Sequence, residues 1–552
     1  MALLQINQIT FQYPDAPTEA LRDVSLMVNE GEFIAICGPS GSGKSTLLRL
    51  MKRECAPHGR LDGTIRYQGI PLKELPPKTT ATAIGMVFQD PDNQIVMETV
   101  MEELLFGLEN IGLDTLTMRK KIAEIVHFFG LEPLLDRPTY ELSGGQKQLI
   151  NLASVLLMEP RILLLDEPTS QLDPIAAKDF LNMLRRMNEE LGIAVVIVEH
   201  RLEDVWPIAD RVVLLHEGRV IYDDPPHKAA AFLASKADDA FFDYLPSASR
   251  LFLHYAATNQ NSRLPITVKE ARSWIKGLTV RVKEASTQVV HERMKPVVLE
   301  AKNIDFQYEK GKPRILDRLS FSLYENEKLA IVGGNGSGKS TMLKVLAGLL
   351  KPQRGKVVYQ GRKTTGHIHL DIAYMPQNPR LYFSEESVKL ELEKAAHDSP
   401  LSPETKQHII DEWGLAALGD RHPYDLSGGE MQKLVFACLL LRGPRVMLID
   451  EPTKGLDPES KKQFGEWLNR FSWRGMSFVI VTHDIEFAAD YADRVGMLFR
   501  GEVTAMADAA AFFKGNAFYT TSINRITRGV SAPEVSTLKE AYVTWDVQNG
   551  SP

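Results

Sequence analysis

Cysteine is scarce in this chain, long apolar runs are missing, and basic charge is not in excess. The 552 residues contain 3 cysteines, Cys37, Cys55 and Cys438, far apart and with no C-x-x-C pair. That argues against a zinc or iron–sulfur centre and suits a reducing compartment. Cys37 and Cys438 sit in apolar runs, as small core residues do. No apolar stretch approaches the roughly 18 residues that a membrane helix needs. Any work at a membrane would be done by docking onto other proteins' helices. The first residues, MALLQINQITFQYPD, lack a basic segment followed by an apolar one, so no signal peptide is expected. The net charge of -7 is opposite to the basic balance usual in nucleic-acid binders, and no nucleic-acid partner is expected. At this length a single core is insufficient, and roughly two to four domains are expected.

What is present is a duplication. Phe11-Gln12-Tyr13 returns as Phe306-Gln307-Tyr308, and Leu142-Ser143-Gly144-Gly145-Gln146 as Leu426-Ser427-Gly428-Gly429-Glu430. Asp166-Glu167-Pro168-Thr169 returns as Asp450-Glu451-Pro452-Thr453, and His200 as His483. The order is kept and the spacing shrinks slightly, which places deletions in the second copy, mostly between its glycine loop and Gln377. Short continuous apolar runs, Ile162–Leu165 and Val195–Val198, read as buried parallel strands and alternate with helical patterns, so the class is α/β. The expected division is 1–228 for the first copy, 229–295 for a small extension and linker, 296–515 for the second copy and 516–552 for a tail. Segments 100–139 and 385–422 read as a helical subdomain in each copy. In the extension, Thr267 is a candidate helix N-cap with Glu270 three residues on.

Gly38-Pro39-Ser40-Gly41-Ser42-Gly43-Lys44-Ser45-Thr46 lies between the apolar run Phe33–Cys37 and the helical pattern from Leu47. It fits G-x-x-x-x-G-K-[ST]. Such glycines let backbone N–H groups cradle phosphates, with a helix N-terminus behind them. The lysine reaches the β- and γ-phosphates, and the serine ligates Mg²⁺. The loop recurs as Gly333-Gly334-Asn335-Gly336-Ser337-Gly338-Lys339-Ser340-Thr341.

With Leu142–Gln146 and its copy present, the chain resembles ATP-binding cassette (ABC) proteins over nearly its whole length. That implies two tandem P-loop nucleotide-binding domains, each with a RecA-like core and a helical subdomain, that bind and hydrolyse ATP with Mg²⁺. The resemblance implies roles residue by residue. Tyr13 and Tyr308 would stack on adenine. Ser40, Gly41, Gly43, Lys44, Ser45 and Thr46, with Asn335, Gly336, Gly338, Lys339, Ser340 and Thr341, would hold the phosphates. Asp166 and Asp450, with Ser45, Ser340, Gln89 and Gln377, would hold the Mg²⁺ shell. Glu167 and Glu451 would be general bases for water, and His200 and His483 would contact the γ-phosphate. In this family the domains pair head to tail. Lys44, Asp166 and Glu167 would then share a nucleotide with Ser427 and Gly429, and Lys339, Asp450 and Glu451 with Ser143 and Gly145. Both sites look chemically complete.

Three classes within the family compete. A DNA-repair cassette protein would need zinc modules or long coiled coils, which are not visible. A tandem-cassette, ribosome-associated translation factor usually reads Asn-His-Leu-Asp where this chain has Gln171-Leu172-Asp173 and Gly455-Leu456-Asp457. The third class is a transporter ATPase. Gln89-Asp90-Pro91-Asp92-Asn93-Gln94-Ile95-Val96 is similar to the Q-loop region of energy-coupling factor (ECF) transporter ATPases. Leu264–Val268 with Glu270-Ala271-Arg272 is similar to that family's C-terminal extension, and the second copy resembles the second ATPase of the pair. The resemblance implies a peripheral protein on the cytoplasmic face of the cell membrane. It would drive uptake of a vitamin or metal ion through a transmembrane coupling protein and a substrate-binding component. Asp90, Asp92, Glu98, Glu102 and Glu103 form a candidate docking surface for an arginine-bearing coupling helix.

Overall fold

The strand-forming runs lie where the sequence pattern places them, and they assemble into the same pair of sheets twice. The computed structural model describes residues 2–14, 16–235, 239–255, 263–283, 295–364 and 371–548. They divide into two units, Met1–Ala271 and Arg272–Pro552.

In the first unit a six-stranded sheet carries Phe33–Cys37 at its centre, flanked by Ala194–Val198 and Arg211–His216. Ile162–Asp166 and Ile84–Val87 extend it on one side, all parallel, and Arg219–Asp224 closes the other side antiparallel. Every residue of Phe33–Cys37, Ile162–Asp166 and Ala194–Val198 is buried. This explains continuous apolar runs in place of alternation, because both faces of the sheet are covered. Ile34 and Ile36 pack towards the helix Lys44–Met51 and a four-stranded antiparallel sheet that begins with Ala2–Gln12. Phe33 and Ala35 pack towards the helices Val100–Asn110, Thr115–Phe129, Gly144–Leu156 and Pro174–Leu191. The second unit repeats this plan around Lys328–Val332, with Ser477–Val481 and Arg494–Phe499 as its neighbours.

The duplication extends further than the sequence motifs indicated. Glu270 caps its helix with Thr267, as the sequence predicts: the Glu270 N–H donates to Thr267 Oγ1 at 3.1 Å. The polar stretch after Gly529 does the same, with the Glu540 N–H donating to Thr537 Oγ1 at 3.1 Å. It forms the helix Leu538–Thr544 and the strand Trp545–Gln548, which pairs antiparallel with Thr279–Val282. Each extension is also anchored to the short helix that follows a motif histidine. Glu203 accepts the Ser247 N–H at 2.5 Å, and Glu486 accepts the Ser522 N–H at 2.7 Å.

Trp545 is fully buried, and its indole N–H donates to the Pro533 carbonyl at 3.1 Å. Trp545→Ala is expected to destabilise the second unit by about 3–5 kcal/mol, read as an earlier second-unit transition in chemical denaturation. A shift below about 1 kcal/mol would show that this tail is an accessory and not part of the unit's core.

Candidate functional site

The glycine loop owes its shape to two close approaches. Gly43 has φ 97° and caps the helix Lys44–Met51; a Cβ there would lie 2.5 Å from the Ala20 carbonyl oxygen. Gly38 lies so near Leu215 that a Cβ would fall 1.9 Å from its carbonyl oxygen. Gly338, with φ 102°, does the same work in the second unit. The loop thus exposes its N–H groups at a helix N-terminus. The Lys44 ammonium is buried and donates to the Gly38 and Pro39 carbonyls at 2.8 and 2.7 Å. Lys339 donates to Gly333 and Gly334 at 2.9 and 3.0 Å. Tyr13 Oη lies 3.0 Å from Thr46 Oγ1, and Tyr308 Oη 3.1 Å from Thr341 Oγ1, which places both rings against the loop helix.

Asp166 ends its strand opposite Val198 in register, and Ser45 Oγ donates to its Oδ1 at 2.9 Å. Burial, and next the charge of Glu167, push the Asp166 carboxyl up to about 6. Burial also raises Asp450. Asp450 Oδ1 is a buried oxygen without a hydrogen-bond partner among the described residues. A buried carboxylate next to a serine hydroxyl is a hard oxygen donor set that suits Mg²⁺.

Glu167 and Glu451 follow at φ 44° and 52°, a left-handed backbone that costs free energy in a glutamate. Each turn is pinned by its own N–H, which donates at 2.9 Å to the Val198 or Val481 carbonyl. The turn aims the carboxylate at the histidine two residues beyond the next strand. His200 Nε2 lies 3.0 Å from Glu167 Oε1, and Gln89 Nε2 donates to Glu167 Oε2 at 2.7 Å. His483 Nε2 lies 3.2 Å from Glu451 Oε1. In the first unit the structure therefore brings together Ser45, Asp166, Glu167, Gln89 and His200. In the second it brings together Glu451 and His483, while Gln377 is solvent-exposed. Ser143 and Ser427 cap the exposed N-termini of Gly144–Leu156 and Gly428–Leu441 in capping boxes with Gln146 and Glu430. Gly145 and Gly429 lie in the first turns of these helices, where backbone N–H groups point outward.

The family described as ABC transporter matches residues 21–170 and 316–454. The chain belongs to the ABC transporter family. A candidate ABC transporter ATP-binding protein of Bacillus cereus is 44% identical over 548 residues, covering 98% of each chain. A candidate HMP/thiamine import ATP-binding protein of Bacillus subtilis, YkoD, is 31% identical and covers 90% of each chain. Among solved structures, a model of ribosome-bound archaeal Pelota and ABCE1 aligns with TM-score 0.61, 23% identity, 92% of this chain and 80% of that one. At that identity the likeness is one of fold. The protein is an ATP hydrolase with two P-loop ABC cassettes.

The cassettes contain functional groups that motif reading passed over. Gln148 and Asn151 are fully buried on the signature helix, and their amides donate to the Phe88 and Pro91 carbonyls at 3.3 and 3.2 Å. They tie the signature helix to the Q-loop, and their signal was two amides three residues apart on an apolar helix face. Glu103 corrects the docking surface. It is buried and accepts the Val96 and Met97 N–H groups at 3.0 and 2.9 Å, so it shapes the loop and faces no partner. Glu391 repeats this in the second cassette, where it accepts the Glu385 N–H at 2.7 Å.

A carboxyl raised from 3.8 to about 6 favours its protonated form in the fold. Its stability contribution is intact below pH 3.8 and is lost as pH rises through about 6. With a chelator present, Asp166→Asn should therefore gain stability over the parent at pH 8, on the order of 2–3 kcal/mol, and keep only about half of that advantage at pH 5. Thermal unfolding of the first cassette at both pH values reads it; an advantage equal at both would contradict the assignment.

Proposed function

We propose that this protein is the ATPase subunit of an ECF-type ABC importer. It binds two ATP molecules at composite sites, each completed by the signature of the other cassette, and drives uptake of a vitamin or metal ion through separate membrane subunits. The observation that carries this reading is the likeness, over 90% of both chains, to a protein named for HMP/thiamine import. No helix among the described residues is long and apolar enough to cross a membrane, so in this reading the transmembrane coupling protein and the substrate-binding component are other chains. The protein would sit peripherally on the cytoplasmic face of the membrane.

The site residues take the following roles. Lys44 with Ser40, Gly41, Gly43 and Thr46, and Lys339 with Asn335, Gly336, Gly338 and Thr341, bind the phosphates. Tyr13 and Tyr308 offer aromatic faces to adenine. Ser45 and Asp166, and Ser340 and Asp450, would hold Mg²⁺ with Gln89 and Gln377 nearby, and the ion would neutralise charge on the transferred phosphoryl group. Glu167 and Glu451 accept the proton of the attacking water, while His200 and His483 hold that carboxylate in place through their ring nitrogens. Ser143 and Gly145, and Ser427 and Gly429, present helix N-termini to a γ-phosphate.

The docking surface is the segment after the first Q-loop. Val96 and Phe106 are exposed apolar side chains, and Glu98 and Glu102 stand beside them in solvent. An amphipathic helix with a basic residue matches that mixture. Its counterpart in the second cassette differs: Arg380 stands where the first has Asp92, and the exposed Leu390 where it has Glu102. Two different partner helices would follow from that.

Affinity purification from membranes should recover integral membrane subunits, and recovery of ribosomes would instead favour a translation factor. Glu98→Lys with Glu102→Lys is expected to weaken that recovery about tenfold while the isolated protein keeps its ATPase rate. Undiminished recovery would remove this surface from the docking site. For the chemistry, Glu167→Gln with Glu451→Gln should slow hydrolysis at least about a hundredfold; a normal rate in the double variant would refute both bases.

A further inference from the structure

One glutamine of the signature helix holds a different loop in each cassette. Gln148 and Gln432 occupy the same place on the helices Gly144–Leu156 and Gly428–Leu441. Gln148 Nε2 donates to the Phe88 carbonyl at 3.3 Å, at the entry of the Q-loop. Gln432 Nε2 donates to the Lys454 carbonyl at 3.2 Å, at the start of the D-loop. A carbonyl accepts in both, so the NH₂ end of the amide must face it and the oxygen is left over. Gln148 Oε1 and Gln432 Oε1 are both buried without a hydrogen-bond partner among the described residues. A half-paired buried amide is held by one bond alone, and exchanging one carbonyl for another costs little net.

Both loops lie close to this helix. One turn before Gln148, a Cβ on Gly144 would fall 2.6 Å from Gln171 Oε1 of the D-loop, and a Cβ on Gly429 would meet Leu456 Cδ2 at 3.5 Å. The Q-loop follows the amide. Phe88 precedes Gln89, whose Nε2 donates to Glu167 Oε2 at 2.7 Å. A second buried amide, Asn151 Nδ2, takes the Pro91 carbonyl at 3.2 Å and draws the same loop onto the helix. In the second cassette Val435 stands at the position of Asn151 and has no side-chain donor. There Gln377, the counterpart of Gln89, makes no side-chain hydrogen bond among the described residues.

We propose that Gln148 and Gln432 are positioning residues for ATP hydrolysis, each able to hold either of two backbone carbonyls. On the Q-loop carbonyl, the glutamine fixes Gln89 or Gln377 at the nucleotide site. On the D-loop carbonyl, which is that of Ser170 or Lys454, it releases that residue. Asn151 sets the choice in the first cassette, and Val435 leaves it open in the second. The first cassette is thus in the held arrangement and the second in the released one. An element with two discrete arrangements, each tied to a different loop, is what carries coupling through a fold. Here it links the Q-loop, which leads into the segment after it, to the D-loop within one cassette.

This inference rests on the reading that Gln89 and Gln377 serve the ATP sites, and the measurements separate the two claims. Both cassettes are altered together, so that neither masks the other. Gln148→Met with Gln432→Met keeps the side-chain length and removes the donors. It should lower kcat about tenfold with KM for ATP within about twofold, a split that a merely structural role would not produce. Added to Gln89→Ala with Gln377→Ala, it should slow the chain by no more than about a further twofold, because the glutamines act through those residues. Multiplication of the two effects, or an unchanged kcat in the methionine variant, would overturn the positioning role alone. An unchanged kcat in Gln89→Ala with Gln377→Ala would refute the reading of the Q-loop residues and this inference with it. A crystal structure of the Asn151→Val chain tests the exchange itself, and the swap is suited to fold because the second cassette has valine there. Gln148 Nε2 should then lie on the Ser170 carbonyl. Gln148 still on the Phe88 carbonyl would overturn the two-position assignment.

Discussion

The structure depends on one turn, made twice. At the end of the strand Ile162–Asp166 the chain reverses through Glu167 at positive φ, and the Glu167 N–H is fixed on the Val198 carbonyl of the neighbouring strand. That bond sets the carboxylate beside the histidine, the second residue beyond that strand. The parallel register, Asp166 opposite Val198 and Asp450 opposite Val481, is what makes the bond available. The buried apolar faces of the sheet fix the register, since a slip by one residue would turn each core side chain to the wrong face. Packing that is remote from any nucleotide thus decides where an acid, a base and an imidazole meet.

Duplication gave both cassettes that turn, and later change acted on its surroundings. The glycine loops make corresponding close approaches, Gly43 to the Ala20 carbonyl and Gly338 to the Ile315 carbonyl. The post-Q-loop carboxylates Glu103 and Glu391 do identical structural work. The differences gather where the signature helix meets its loops and on the exposed segment after each Q-loop. Those are the places where turnover and partner choice can be altered without disturbing the sheet.

Most of the architecture was legible in the sequence, because parallel strands buried on both faces leave unbroken apolar runs and phosphate loops need glycines at fixed places. The family resemblance put Ser45 and Asp166 at one Mg²⁺ shell, and they are hydrogen-bonded; it assigned His200 to a γ-phosphate, and the contact of His200 with Glu167 emerged only in the structure. Other features were hidden for physical reasons. Glu103 and Glu102 are adjacent acids, yet one is buried under backbone N–H groups and the other is exposed, a difference set by helix phase. The polar tail concealed Trp545, whose burial depends on a tertiary site built by Pro533.

The central claim is that one chain carries two complete nucleotide sites. Equilibrium binding of ATP with Mg²⁺ to the chain bearing Glu167→Gln and Glu451→Gln, where hydrolysis does not deplete the ligand, tests it most directly. The account predicts two ATP molecules bound per chain, falling to one when Lys44 or Lys339 is also replaced by alanine. Saturation at one ATP with both lysines present would contradict it.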